Sequence, residues 1–499
     1  MNCIMRIYNK LGTLALALLT LAVVSCKDDP TTKIDNGLRL GNATKLELLR
    51  DSLPVSTLSF SIGKGNAIIA IDADGEWTAQ VADTTWCKLA VHAGYGYVNK
   101  YSYNKIDVAK NEGEARSTTI TFSSGSLTKT ITVSQNGTGT DPNDPFMSAF
   151  TFVENLGMGY NLGNTLEANH DITNPSIQQW FNPQTIYDWE TCWGQPVTTP
   201  EIINAIAARG FNVIRVPVTW FPHMDDAGNV EAVWMNRVKE VVDMVLAAGC
   251  YCILNVHHDA SEYDASRGDG AHWLLADMAN YPAISAKFKK LWLQIATTFQ
   301  NYDDRLVFEA FNEILSKKGE WGDPSDTSCY EAVNKLEQDF VDVVRSTGGK
   351  NEYRNLLVNP YGAGNSPAKL AGMQMPNDVH PNHLFASVHS YDPYWFCNDT
   401  DDENAQNYYI YIFDSACQQE IDDIFTRVDK RFSSEFGVPY IFGEFAAGGT
   451  HVAMSERVKY AQYMKQKFAQ YNTTGLWWMG LMDRSTLVWT EDDIVKALF

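Results

Sequence analysis

Two glutamates carry the strongest chemical signal in this sequence. Glu313 follows Asn312 at the close of one apolar run, and Glu444 follows Gly443 at the close of another. Cleaving a glycosidic bond asks for one carboxyl that protonates the leaving oxygen and a second carboxylate on the other side of the sugar. These tasks need opposite protonation states, so the two environments must differ. Arg215 and the Tyr391 hydroxyl would keep Glu444 ionised, leaving Glu313 to hold the proton. Arg215, His257, Asn312, His389, Tyr391 and Trp478 also fall at or just past the ends of apolar runs. Each alone has a bland reading: a buried ion pair for Arg215, a satisfied core histidine for His257, packing for Trp478. Together with the two glutamates they point to one site.

The runs that end in these residues lie at 158–162, 212–217, 250–256, 306–311, 355–359, 384–389, 440–444 and 476–479. Helical patterns separate most of them, at 199–209, 234–248, 283–302, 330–346, 418–433 and 456–471. Eight strands alternating with helices over residues 146–499 predict a (β/α)₈ TIM barrel, class α/β. A doubly wound open sheet is the alternative. It would want a glycine-rich phosphate loop, and residues 157–163 lack the GxGxxG spacing. Barrel active sites are built where the strands end, so the fourth and seventh strands would place Glu313 and Glu444 across the mouth from each other. At a separation of about 5–5.5 Å the second carboxylate acts as nucleophile and configuration is retained.

The motifs resemble glycoside hydrolase family five. They include residues 159–165 (GYNLGNT), 190–194 (ETCWG), 210–220 (GFNVIRVPVTW), 256–259 (VHHD), 308–313 (FEAFNE), 389–391 (HSY) and 443–445 (GEF). Within the family the chain looks most like the fourth subfamily, rich in endo-β-1,4-glucanases, xyloglucanases and mixed-linkage glucanases. The resemblance implies Glu313 as acid/base and Glu444 as nucleophile. It implies Asn312 on the 2-hydroxyl, His257 and His389 hydrogen-bonding substrate and acid, and Trp478 as a stacking platform. Asn161, Arg215, His258 and Tyr391 complete the expected substrate-binding set, with no cofactor and no metal. The expected substrate is a neutral β-1,4-glucan, with xyloglucan-specific endoglucanase and β-mannanase as alternatives. A catalytically silent glycan-binding lipoprotein is the contrasting class, and retention of Glu313, Glu444, Arg215 and Tyr391 argues against it. Two departures stand out: Ile314 replaces the usual proline after the acid, and the loop expected after Trp478 is missing, since 477–478 runs straight into 479–484.

Ahead of the barrel, residues 1–25 read as a signal peptide. Arg6 and Lys10 precede an apolar run at 11–24, too short to span a bilayer. Cys26 after Ser25 resembles a lipobox, whose cysteine is lipidated, and 27–29 (KDD) resembles the export tag of surface-exposed Bacteroidetes lipoproteins. The expected location is the outer membrane, exposed at the cell surface and held by lipid alone. Residues 26–50 read as a tether, with Pro30 and the turn pair Asn36-Gly37. Residues 51–136, with short β-rich runs, predict an immunoglobulin-like sandwich; Trp77, Trp86, Arg116 and the terminal 133–137 stretch resemble the BACON module. Trp77 and Trp86 are expected in its core. Tyr95, Tyr97, Tyr101 and Tyr103 alternate and would share a face on one extended strand. Residues 137–145 form a linker.

Net charge is −21 with no dense basic run, which argues against nucleic acid, anionic lipid or an acidic polysaccharide as partner. A monomer is expected. Of nine cysteines, seven remain beyond Cys3 and Cys26, without metal-ligand spacing or a disulfide framework. The 257–259 run (HHD) could suggest a metal, but HExxH spacing is absent and successive strand residues would face opposite ways.

Overall fold

A computed structural model describes residues 33–499 apart from 36–37, 41–42, 51–52, 61–64, 97–100, 112, 114, 136, 138–143, 173, 226, 261–272, 399–407 and 450. The signal segment, Cys26, Tyr97 and most of the linker lie outside the described residues. Eight parallel strands close into a barrel: β1 (Gly159–Asn161), β2 (Val213–Val216), β3 (Tyr251–Asn255), β4 (Leu306–Glu309), β5 (Leu356–Val358), β6 (Leu384–Ser390), β7 (Tyr440–Phe445) and β8 (Gly475–Trp478). Each is followed by a helix: α1 (Pro200–Ala208), α2 (Ala232–Ala247), α3 (Tyr281–Thr298), α4 (Ser328–Ser346), α5 (Pro367–Gly372), α6 (Ser415–Asp429), α7 (Met454–Tyr471) and α8 (Asp492–Leu498). Local chemistry starts several of them. Pro200 and Pro367 occupy the first turns of α1 and α5, where a missing N–H costs nothing. The Asp414 carboxylate accepts from the Ala416 and Cys417 amides at the start of α6. All eight expected strands form, and the six expected helices are joined by the short α5 and α8.

Strand periodicity sorts the barrel interior into layers. Val213, Ile253, Val307, Leu357, Phe385, Ile441 and Leu476 pack together with Phe152 of the helix Ala149–Asn155, which closes the base. Two residues further along each strand, on the same inward face, stand Asn161, Arg215, Asn255, Glu309, Asn359, Ser387, Gly443 and Trp478. An apolar floor therefore carries a layer of almost entirely polar side chains beneath the mouth. The outward faces bury Ile214, Leu254, Phe308, Val388 and Phe442 in the main apolar core. Register shifts fall between Val388 and His389 and between Phe442 and Phe445. Irregularities of this kind re-aim side chains, and here they flank His389 and Glu444.

The N-terminal region is a sandwich of two five-stranded sheets. Trp77 and Trp86 lie in its core, and Arg116 sits 4.5 Å over the Trp86 ring. The sandwich begins earlier than the sequence suggests. Leu46–Arg50 pairs with Gly65–Ala73, and Leu46 and Leu48 are buried, so part of the expected tether is a strand whose alternating leucines face the core. Lys33–Asp35 also pairs with Leu38–Leu40. The tyrosines do not share one strand. Tyr95 ends Ala93–Tyr95 in one sheet, while Tyr103 lies on Ser102–Val108 in the other, because the chain changes sheets between them. The sandwich meets the base of the barrel through Lys110 and Glu154, 3.7 Å apart. Asp144 accepts from His383 at 2.7 Å, and the other ring nitrogen of His383 meets Asn355. Among the described residues Cys87, Cys250, Cys252, Cys329, Cys397 and Cys417 are buried free thiols. No helix among the described residues is long and apolar enough to cross a membrane.

Candidate active site

Arg215 organises the polar layer. Its guanidinium donates to Glu309 Oε2 and Glu444 Oε1 at 2.7 Å each, to Asn312 Oδ1 at 2.8 Å and to Asn161 Oδ1 at 2.9 Å. Burial alone would lower its pKa, but the Glu309 and Glu444 carboxylates raise it above the ordinary value. Glu309 in turn accepts from Asn359 Nδ2, which also donates to the Phe311 carbonyl. Asn161 spends its amide protons on the carbonyls of Gly443, Leu476 and Trp477. Asn161 and Arg215 have no exposed surface. They therefore do not face substrate as expected; they hold Glu444 in place from below.

The Tyr391 hydroxyl donates to Glu444 Oε2 at 2.7 Å. Burial, then the Glu444 and Glu313 charges, push that phenol well above its usual pKa, so it stays a neutral donor. His389 joins the two glutamates: Nδ1 is 2.8 Å from Glu313 Oε1 and 3.7 Å from Glu444 Oε2. Burial would depress this imidazole, but the Glu444 and Glu313 carboxylates outweigh it and raise its pKa. One oxygen of each glutamate and a His389 nitrogen all lie within 4.8 Å of one another. Each of these groups meets a protein partner: Arg215 and Tyr391 hold Glu444, and His389 holds Glu313.

His257, with Nδ1 3.0 Å from the Asn255 amide, lies parallel to the Trp478 ring at 5.9 Å. Burial first, then the positive neighbours His258, Arg215 and His389, drives its pKa well below the ordinary value. It is therefore a neutral group beside the Trp478 ring. His257, His258 and Asp259 follow the end of β3 and are not strand residues, so the opposite-faces expectation does not apply. His258 packs against the His257 and Trp193 rings, and Asp259 accepts from the Trp220 amide and Trp273 Nε1. Ile314, where relatives would carry proline, is fully buried, and its carbonyl accepts from the Gly362 amide. That anchors the segment after the acid without the proline.

Above this layer lies a cleft of ≈ 980 Å³ whose lining includes Asn164, Glu313, Trp321, His389, Tyr391, Tyr394 and Trp478. Sequence reasoning missed Glu309, Asn359, Trp321 and Tyr394. Glu309 had a signal, a charge inside an apolar strand. Trp321 and Tyr394 sit on connections beyond β4 and β6, where no periodicity marks them.

A closed eight-stranded barrel with a glutamate pair at its mouth, one member locked to a buried arginine, is the architecture of a paired-carboxylate barrel hydrolase. The chain belongs to glycoside hydrolase family 5. The family described as "Cellulase (glycosyl hydrolase family 5)" matches residues 176–480, and BACON, a "Putative binding domain, N-terminal", matches 75–136. Endoglucanase A of Clostridium longisporum is 34% identical over 366 residues, 70% of this chain and 65% of that protein, so this chain spans a little under two thirds of its length. The xyloglucan-specific endo-β-1,4-glucanase of Bacteroides ovatus is 30% identical over 86% of this chain and 82% of its own. Among solved structures, a family 5 enzyme of Prevotella bryantii in complex with a xyloglucan tetradecasaccharide superposes with a TM-score of 0.62. It is 36% identical, over 71% of this chain and 98% of that one.

Proposed function

We propose that this protein is a retaining, endo-acting glycoside hydrolase that cleaves the β-1,4-linked backbone of neutral glucans. The observation that carries the reading is the 4.8 Å span holding Glu313, His389 and Glu444 together. Such closeness between their nearest oxygens suits direct attack by a carboxylate, the arrangement of a retaining site. Glu444 attacks the anomeric carbon as the glycosidic bond breaks, and Glu313 gives its proton to the departing oxygen. Water then attacks the glycosyl-enzyme, Glu313 takes a proton from it, and Glu444 is released. Asn312 has its carbonyl oxygen committed to Arg215, which leaves its amide N–H₂ for the sugar 2-hydroxyl. Trp478 offers a ring for stacking. Glu313→Ala and Glu444→Ala should each lower activity on soluble glucan by several orders of magnitude in a folded protein. Azide should partly rescue Glu444→Ala. Either variant keeping more than about a tenth of the wild-type rate, under ~1.4 kcal/mol of barrier, would sink the assignment.

Xyloglucan is the second reading, favoured by the short connection after Trp478. Gly480 there has φ +89°, and a Cβ on it would meet nothing within 4 Å, which leaves room for branched chains. Rates on a panel of xyloglucan, mixed-linkage glucan, carboxymethylcellulose and mannan separate the substrates.

We also propose export and lipid anchoring through Cys26, supported by the basic, apolar and Ser25-Cys26 segments. Cys26→Ala should abolish fatty-acid labelling and release the protein from the membrane fraction; unchanged association would overturn the proposal.

A further inference from the structure

The polar layer contains one residue whose side chain does no visible work. Asn161, Arg215, Asn255, Glu309 and Asn359 all make hydrogen bonds there. Ser387 lies in the same layer with no exposed surface, yet its hydroxyl has no partner. Two residues along the same face of β6, His389 is 5% exposed and its Nε2 is also without a partner. The other ring nitrogen is the one that meets Glu313. Both orphaned atoms border Gly443 on the neighbouring strand. A Cβ there would overlap Ser387 Oγ and come within 3.1 Å of His389 Nε2. The missing side chain of Gly443 thus keeps open a small space shared by the hydroxyl and the imidazole. Buried polar atoms are almost always satisfied, directly or by a bridging water.

We propose that Ser387 is a positioning residue for the acid/base unit: its hydroxyl accepts the Nε2–H of His389 through one bridging water, and so commits Nδ1 to Glu313. The inference rests on Glu313 being the acid/base. Above the raised pKa of the ring, neutral His389 with its proton fixed on Nε2 turns a lone pair toward the Glu313 carboxyl and stabilises its protonated form. Without that acceptor, the other tautomer would point Nδ1–H at Glu313 and favour the carboxylate. The charged and titratable groups facing His389 are Glu313 from β4, Glu444 from β7, Arg215 from β2, His257 beyond β3 and Tyr391 beyond β6. None of these supplies an acceptor at Nε2.

The test compares two substrates whose leaving groups differ in their need for a proton. Soluble β-glucan expels a sugar alkoxide and requires the acid, whereas 2,4-dinitrophenyl β-cellobioside does not. Ser387→Ala should lower kcat/KM on glucan about tenfold while changing the aryl cellobioside about twofold or less. Its high-pH limb on glucan should move to lower pH, because the protonated Glu313/His389 pair has lost support. Ser387→Thr, which restores a hydroxyl, should recover the glucan rate and the limb. Equal losses on both substrates, or an unmoved limb in a variant that melts like the parent, would overturn the proposal. Glu313→Ala, assayed alongside, must spare the aryl substrate's glycosylation step; if it does not, the acid/base assignment itself is what has failed.

Discussion

Arg215 and Glu309 form an ion pair of 2.7 Å in which neither side chain has any exposed surface, while the same guanidinium holds Glu444 at 2.7 Å. One buried cation is therefore shared by two carboxylates, of which Glu444 alone keeps a trace of exposed surface. Glu309 fixes the Arg215 Nε and so aims Nη1 at Glu444, but it also competes for the positive charge. Glu309→Gln should leave Glu444 as the sole anion on Arg215. The low-pH limb of kcat/KM should then move to lower pH. Arg215 keeps Glu444, Asn161 and Asn312, so the stability cost should be about 1–3 kcal/mol, below the ~3–5 expected when a buried ion is left wholly unpaired. A pH–rate profile with a denaturant melt checks both, and an unmoved low-pH limb would refute the competition.

The Trp478 platform depends on a glycine. A Cβ on Gly163 would lie 3.0 and 3.1 Å from the Trp478 Cζ2 and Cη2 atoms. Gly163→Ala should push the indole away from its parallel position beside His257. Binding to cello-oligosaccharides should weaken, raising KM about tenfold, an effect of ~1.4 kcal/mol, with little change in melting temperature. Calorimetry of a catalytically silenced variant with and without Gly163→Ala measures this directly.

These two relationships mark how far the sequence could be read. The eight strands and the residues at their ends were legible because apolar runs of strand length alternate with helical ones, and polar side chains at their ends break the pattern. The direction of those side chains was not legible. Asn161 and Arg215 look like substrate ligands when each is placed only at a strand end, and become supports for Glu444 once the inward layers are resolved. Glu309 was visible as a charge in an apolar strand, but its partner Arg215 is far away in the chain, and only barrel closure joins them. Leu46–Arg50 reads as tether because a five-residue strand next to polar sequence carries too few residues to show alternation. The shift of register at His389 and Glu444 has no sequence signature at all.

His223 offers a pH test of the barrel wall. It is 3% exposed, stacks on Trp234 at 3.7 Å between centroids and meets the Trp189 ring edge-on. Burial holds its pKa at about 3. An unfolded chain would bind this proton near pH ~6.5. The unfolded state therefore carries more protons between those values, and stability falls as pH drops, by at most ~1.4 kcal/mol per unit. His257, also depressed, adds to the slope. His389, raised, acts oppositely: its contribution is present below ~6.5 and is lost as pH rises through its folded value. His223→Phe keeps a stacking ring and removes the proton site. Its melting temperature should fall less steeply from pH 6.5 to 4 than that of the parent, and parallel curves would refute the assignment.

The sandwich is expected to space the barrel from the proposed Cys26 anchor and to leave hydrolysis alone. Trp77 and Trp86 are buried, and the exposed tyrosines are divided between two sheets, with Tyr95 at 44% and Tyr103 at 63% exposure. Tyr101, 42% exposed, lies two residues before Tyr103, whereas Tyr95 stands on the other sheet. Where a truncation begins matters, because the Asp144 carboxylate is hydrogen-bonded to His383 and to the Phe146 amide. A chain beginning at Asp141 keeps that clamp and should hydrolyse soluble glucan within about twofold of the full-length rate, a difference under ~0.5 kcal/mol. A chain beginning at Phe146 should keep the rate at 25 °C but melt several degrees lower, since a charged hydrogen bond of ~1.5–3 kcal/mol is lost. Retention of the sandwich on insoluble cellulose or on immobilised xyloglucan would overturn the spacer reading. Tyr103→Ala would then be the first substitution to make, since Tyr103 is the most exposed of these rings and lies across from Ala70, with no bulky side chain beside it in the register.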